Sequence, residues 1–447
     1  LDECGRSEGL QGVLIMNSMW AGILLCFLVN SAMAQTGGVD FAITSFDCGG
    51  GMEWNDAFTN GACTIDATAN LTNKWRAWKN VFSTNPTGNA GVPMVSSDCF
   101  YRARAWDFSG GRLGFTNLTH VYGVLTTIAG AGGIQNTNQW LPQFEGGPAT
   151  NALLSNPHIA VGNQWGEIYI ADKGACAIRK IRLDGTIITV VGTNGPGNGP
   201  NTEINATICA LNGPNGLWVK NDGTVFVLDA GNNKIRRLDT NGNIRTMFAV
   251  SPSCSISRGL WVSEDETVAY VGATTEVLKW TQNMGLIIFS TGYSELGNIT
   301  MDPWGNLVVT DRMGNQVYRL DDLGNRTPIA GNGSTTNYVV GGDGGLALAT
   351  GLEEVRGIWF LPTGAYFLCT HQGSQVWYVD TDGLIHLFLN GYHSDTTHAG
   401  DNSWFYNPNE YRVSECRAVT LDYEGNMLIT ENDLGYVRKI RFLPYEP

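Results

Sequence analysis

Six polar residues recur at one place in this sequence, each at or just before the start of a short apolar run: His158, Asn215, Arg258, Asn298, Arg356 and Arg417. Three guanidiniums, an imidazole and two amides brought together favour an anionic or polyhydroxylated ligand, because arginine presents a bidentate fork to carboxylate or phosphate. In the competing reading these side chains pair with neighbouring carboxylates such as Asp172, Asp229, Asp311 and Glu431 and fill the space themselves. Asp172, Asp229 and Asp311 each begin a turn, where a carboxylate accepts backbone N–H bonds, so a structural role is expected for them.

A second group lies between Tyr392 and Glu415, where Trp404, Phe405, Tyr406 and Tyr411 stand beside Asn402, Asn407 and Asn409. That mixture suits stacking on sugar rings or docking against protein, and it suits equally a loop whose aromatics pack locally. Trp404 and Tyr406 therefore join the candidate ligand residues. His393, Asp395, His398 and Asp401 in the same loop have a spacing that fits no metal site. A zinc enzyme needs several converging histidines, yet the chain has six in all, with His158 on the recurring position and His371 within reach of it. A hard-cation site needs acids and amides where this position offers arginines. The Gly-x-Ser-x-Gly nucleophile pattern is absent. No catalytic residue, metal or cofactor is assigned, and an enzyme is the less favoured reading.

These residues are positioned by a repeat. The stretch GNQWGEIYIADKGACAIRKIRLDGTIITVVG, Gly162 to Gly192, sets a plan that recurs six times. Second-strand cores read EIYIAD, TVFVLD, TVAYVG, NLVVTD, AYFLCT and NMLITE, third strands follow at IRKIRL through VRKIRF, and glycine supplies most turns before a fourth strand. Four strands per unit at this period predicts an all-β fold, a six-bladed β-propeller. The sixth unit lacks a fourth strand, and GVLTTIAGAGG from Gly123 supplies one, so the ring is expected to close with an N-terminal strand that covers its seam. The innermost strand of each blade starts at the face crossed by the loops between blades. The six polar positions then point into the channel mouth. The third unit has Gly272 where others have Asp and is expected to be irregular.

From Tyr122 to Leu443 the chain resembles the NHL-repeat family of six-bladed propellers. The resemblance rests on EGGPATNALLSNPHIAVG, IADKGACAIRKI and GGDGGLALATGL. Calcium-dependent lactonases and a zinc lyase use related rings, which keeps a lyase or lactonase at the channel mouth as the enzymatic alternative. Upstream, the alternating apolar runs between Val39 and Phe108 predict a small β-sandwich. It is similar to fibronectin-III-like modules, and the whole chain resembles an uncharacterised exported bacterial family of Verrucomicrobia type.

The reading from Met16, with an apolar run Trp20 to Val29 and Ala32-Met33-Ala34, is a signal-peptide pattern. The run is short of the roughly 20 residues that span a bilayer, so no membrane span is expected after cleavage. The predicted organisation is a leader with upstream residues over 1–34, a sandwich over 35–115 and a propeller over 121–447. A formal net charge of -14 without a Lys/Arg run excludes an electrostatic footprint for nucleic acid. In an exported chain Cys48, Cys63, Cys99, Cys176, Cys209, Cys254, Cys369 and Cys416 read as a disulfide framework. Blade geometry pairs Cys176 with Cys209 and Cys369 with Cys416. Cys63 with Cys99 and Cys48 with Cys254 stands against Cys48 with Cys63 and Cys99 with Cys254.

The function these residues imply is non-catalytic recognition of a glycan, an anionic small molecule or a protein on the loop face. A structural subunit of an extracellular assembly, with self-association, is the alternative from another class. The location is secreted or extracellular, with periplasm or cell surface as variants.

Overall fold

The computed structural model describes residues 10–18, 41–46, 50–69, 74–92, 98–133, 137–254, 258–336, 343–393 and 399–446. The chain divides into two compact units, one of Leu1–Gly123 with Asp380–Asp382 and Arg441–Pro447, the other of Val124–Val379 and Gly383–Ile440. No helix among the described residues is long and apolar enough to cross a membrane.

The first unit is a two-sheet sandwich. One sheet orders Leu10–Ser18, Asp98–Asp107, Gly61–Thr68 and Arg76–Ser83; the other orders Ala42–Phe46, Gly51–Asn55 and Gly88–Gly91. Their inner faces share one core, with Ile43, Met52 and Trp54 from one sheet against Ile65, Tyr101 and Ala103 from the other. The period-2 alternation that buries these residues is what the sequence shows. A helix, Arg112–Val121, follows and buries Phe115 and Leu118. Leu10–Ser18 pairs along Asp98–Asp107, so the start of the reading from Met16 is a strand here, while the apolar run Trp20–Val29 and the expected cleavage site lie outside the described residues.

The second unit is a β-propeller of antiparallel sheets, each counted outward from an inner strand. The inner strands are Pro157–Gly162, Pro214–Val219, Leu260–Val262, Leu296–Met301, Val355–Phe360 and Cys416–Leu421, which we number first to sixth. Each inner strand neighbours the next, and the sixth neighbours the first. Thr420 Oγ1 in the sixth donates to the Ala160 carbonyl in the first at 2.6 Å. Apolar wedges between sheets make the core: Leu217 and Val227 meet Ile159 and Ile178 between first and second, and Ile358 and Leu368 meet Val308 and Val317 between fourth and fifth. Close approach demands glycine at Gly216 and Gly357, where a Cβ would come within 2.3 Å of the Arg258 carbonyl and 2.9 Å of the Val419 amide nitrogen.

Val124–Ala129 pairs antiparallel with Tyr436–Ile440, Leu125 opposite Ile440 and Ala129 opposite Val437. A further strand, Ser403–Trp404, lies outside it, so the closing strand is not outermost as expected. The third sheet has four strands, with the irregularity confined to its inner strand of three residues.

Candidate functional site at the axial mouth

His158, Asn215, Arg258, Asn298, Arg356 and Arg417 stand at or close to the same end of their inner strands. The residue two places earlier is left-handed in four sheets: Asn156 (φ 61°), Gly213 (φ 55°), Glu354 (φ 53°) and Glu415 (φ 48°). Asparagine and glycine adopt this conformation at little cost, whereas a glutamate held there stores strain of order 1 kcal/mol. In the fifth and sixth sheets that strain positions a carboxylate at the mouth.

His371, the first residue after the second strand of the fifth sheet, bridges the two. Its Nδ1 lies 2.9 Å from Glu354 Oε2 and its Nε2 lies 2.8 Å from Glu415 Oε2. Both ring nitrogens therefore face carboxylate oxygens, one from each of the two sheets. Glu354 also accepts from Arg312 Nε and Arg356 Nη2, both at 2.9 Å, and Arg312 reaches back to Glu295. Burial raises the Glu354 pKa, but hydrogen bonds from His371, Arg312 and Arg356 outweigh it and hold the group well below the usual carboxylate range. Arg417 Nη2 spans Glu415 Oε2 at 3.5 Å and Asp433 Oδ1 at 3.4 Å. His393 Nδ1 stands 3.3 Å from Glu415 Oε1.

The other side of the mouth is cationic. Arg258 is 7% exposed, and while its backbone amide donates to the Gly297 carbonyl, its buried side-chain Nε and Nη1 have no acceptors among the described residues. Arg356 is 2% exposed, and beyond its bond to Glu354 its Nε and Nη1 are likewise without acceptors. Burial, then repulsion from Arg356 and Arg312, drives the Arg258 pKa well below its ordinary value. Burial, followed by Arg258 and Arg356, brings the Lys173 pKa down to about 8. His158 is kept neutral by burial and by Arg258 and Lys173, with Nδ1 2.9 Å from the Asn156 carbonyl and 3.0 Å from Asn432 Nδ2. Asn215 and Asn298 are buried on their inner strands, and Asn298 Oδ1 accepts from the Ile299 amide at 2.9 Å.

The carboxylates suggested as partners for the ring are engaged elsewhere. Asp172, Asp229 and Glu431 each bind an arginine of the adjoining third strand, Arg179, Arg236 and Arg438, at 2.8 to 3.1 Å. Asp172 and Asp229 also accept the Ser155 and Asn212 amides, which lie in the loop entering the sheet rather than in the turn each acid begins. Asp311 accepts the Ser294 and Glu295 amides. Sequence reasoning missed Glu354, Glu415 and Asp433; the repeated Glu-x-Arg at 354–356 and 415–417 was their signal.

Trp404 lies in the outer strand of the sixth sheet, away from the axis, and the neighbouring Phe405 is fully buried and stacks on Phe388 at 4.5 Å. Tyr406 packs against Trp404 at 5.7 Å. Of the loop's acids and histidines, His393 reaches the mouth, Asp401 pairs with Arg438, and Asp395 and His398 lie outside the described residues. His371, Glu415 and Asp433 each offer a ligand atom within 4.8 Å of the others, so a cation has a possible place there, but Arg417 already neutralises both carboxylates.

Cys63, Cys176, Cys209, Cys254, Cys369 and Cys416 are buried free thiols here, so the expected cross-links among them are not formed in this structure. Cys176 Sγ instead faces the Gly213 amide at 3.4 Å and Cys369 Sγ the Cys416 carbonyl at 3.8 Å. Burial pushes the Cys369 thiol up to about 12, which leaves it protonated and unreactive. Cys48 and the Cys99 side chain lie outside the described residues.

No family model matches the chain, and no curated protein matches it. Among solved structures it is similar to a protein of unknown function from Bacteroides thetaiotaomicron, with 13% identity, a TM-score of 0.58, and coverage of 90% of this chain and 97% of that one. An auxiliary nutrient binding protein from Bacteroides ovatus aligns with 12% identity and a TM-score of 0.54 over 89% of this chain and 95% of its own. One from Bacteroides thetaiotaomicron has 12% identity and a TM-score of 0.53 over 90% and 97%. At these identities the likeness is one of fold, and by fold the chain is a β-propeller protein.

Proposed function

We propose that this chain is an exported, non-catalytic recognition protein that binds an oxyanion-bearing small molecule at the axial mouth of its propeller. The observation that carries the reading is Arg258, a buried guanidinium whose Nε and Nη1 have no acceptor among the described residues, beside the half-satisfied Arg356. An unpaired buried charge is strongly unfavourable, and a carboxylate or phosphate accepted by both forks removes the penalty. The fold shared with auxiliary nutrient binding proteins supports a binding role. Export rests on the apolar segment after Met16.

Thermal unfolding in increasing acetate or inorganic phosphate, against glucose as the neutral control, tests the reading. The anions stabilise the native state by about 2.7 kcal/mol at a hundredfold excess over Kd and so raise the melting temperature. Arg258→Met abolishes the rise. Equal response of the variant and the parent chain overturns the proposal. Chemistry at the mouth is favoured by one feature, His371 held between two strained glutamates, and turnover of a bound anion would select that reading instead.

A further inference from the structure

We infer that the opposite end of the propeller axis is a second, carbohydrate-binding face, independent of the oxyanion reading. Three residues beyond Asn215, Arg258 and Arg356 along their inner strands stand Trp218, Trp261 and Trp359. At about 3.3 Å per residue they lie roughly 10 Å deeper than the cationic mouth. Trp218 meets Trp261 at 6.0 Å and Trp359 at 6.3 Å, both tilted, and all three are half-buried. The buried Nε1 of Trp218 has no acceptor among the described residues.

The first, fourth and sixth sheets have Val161, Met301 and Thr420 at the equivalent position, and each carries an aromatic in the turn joining its first two strands: Trp165, Trp304 and Tyr423. These are 52%, 65% and 73% exposed. Every sheet therefore places one aromatic ring at this end of the axis. The turns are rigid. Asn163 Oδ1 accepts the Trp165 and Glu167 amides, and Asp302 Oδ1 accepts those of Trp304 and Asn306, at 2.8 to 3.1 Å. The indoles are also held against the next sheet. A Cβ at Gly223 would come within 2.5 Å of Trp165 and one at Gly364 within 2.4 Å of Trp304.

Chemistry favours a glycan over a protein. Asn163 and Asp302 hold their own turn backbones, and the acids Glu167, Glu266, Asp302 and Asp422 are paired with Lys180, Lys220, Arg319 and Lys439, so the aromatic surfaces stand preordered beside charges that neutralise one another. A pyranose buries its apolar C–H face on such a ring while its hydroxyls stay in water, and preorganisation removes the ordering cost of the receptor. Rings on separate sheets offer several stacking surfaces, as binding to a chain of repeated sugars requires.

Native affinity electrophoresis through gels containing laminarin, xylan or dextran provides the test. Retardation in at least one gel is expected. The exposed double substitution Trp165→Ala/Trp304→Ala weakens it by about tenfold, the size expected for lost aromatic contacts, while Arg258→Met leaves it unchanged. Circular dichroism of the double variant confirms that it is folded. Absence of retardation in all three gels, or equal retardation of the folded double variant, overturns the inference without touching the oxyanion site.

Discussion

Trp218 and Trp359 come from sheets three steps apart around the ring in either direction, yet their indole centroids lie 6.3 Å apart across the axis. With Trp261 beside them they crowd the axis below the arginines. The mouth therefore has an aromatic layer about 10 Å beneath guanidiniums whose buried Nε and Nη1 have no acceptor among the described residues.

The strongest consequence concerns Arg258. Replacing a buried guanidinium whose Nε and Nη1 have no acceptor among the described residues by an apolar side chain of similar length is expected to stabilise the protein, by about 1–4 kcal/mol. Arg258→Met should thus raise the melting temperature in anion-free buffer while removing the response to anions. A lower melting temperature for the variant would mean that Arg258 has a structural partner in solution.

Lys173 gives the site a pH dependence. Its folded pKa of about 8 lies below the ordinary lysine value because of burial and the neighbouring Arg258 and Arg356. Between pH 8 and the ordinary value the unfolded chain holds the extra proton, so ligand-free stability rises with pH across that window. Affinity moves the other way, since deprotonation removes a cation from the mouth. Sulfate keeps its charge over this range; its Kd, followed by calorimetry, should increase as pH passes about 8, and Lys173→Met should flatten the profile.

How far the sequence carries the reader depends on what sets each position. His158, Asn215, Arg258, Asn298, Arg356 and Arg417 were legible because the place before an apolar run is fixed by the strand period alone. The closing strand at Val124 was legible because the sixth unit lacked one. The tryptophans were equally visible as Asn-Gly-Leu-Trp, Arg-Gly-Leu-Trp and Arg-Gly-Ile-Trp, but apolar residues in a strand read as core, and their meeting across the axis depends on ring curvature. Glu354 and Glu415 carried a signal, the repeated Glu-x-Arg ahead of an inner strand, but it went unread because a left-handed residue there is expected to be glycine or asparagine. Trp404 sits in a two-residue strand paired with Val124–Ala129 rather than at the mouth, and a strand that short leaves no pattern in the sequence.

Glu354 restrains the cationic side, since its Oε2 accepts from Arg356 and Arg312. Glu354→Gln keeps the shape but removes the charge, freeing both guanidiniums for a ligand. Acetate affinity should rise by about tenfold, as expected when an opposing charge is removed from a partly buried site, and the apo protein should lose stability. Calorimetric titration showing unchanged or weaker binding would place the anion elsewhere.

The repeat itself is held by Asp172–Arg179 and its equivalents, pairs that the acids alone did not reveal. Ile170 lies opposite Arg179 on the neighbouring strand, and the two side chains of the ion pair, separated by seven residues, are both fully buried at 3.1 Å. Arg179 also donates to Thr189 Oγ1 and Asn194 Oδ1, and its guanidinium lies 3.6 Å from the Trp140 ring centroid. Removing one partner strands the other charge in the wedge between sheets. Arg179→Met should therefore cost about 3–5 kcal/mol. Asp172→Asn keeps an oxygen for the Ser155 amide while removing the carboxylate charge, so combining it with Arg179→Met should recover part of the loss. Denaturant unfolding of the parent, both single variants and the double variant closes the cycle, with a coupling energy of about 0.5–3 kcal/mol expected. Strict additivity would show that the pair does not act as a unit, and that hydrogen bonds from Arg179 to the loop at Asn194 hold this sheet instead.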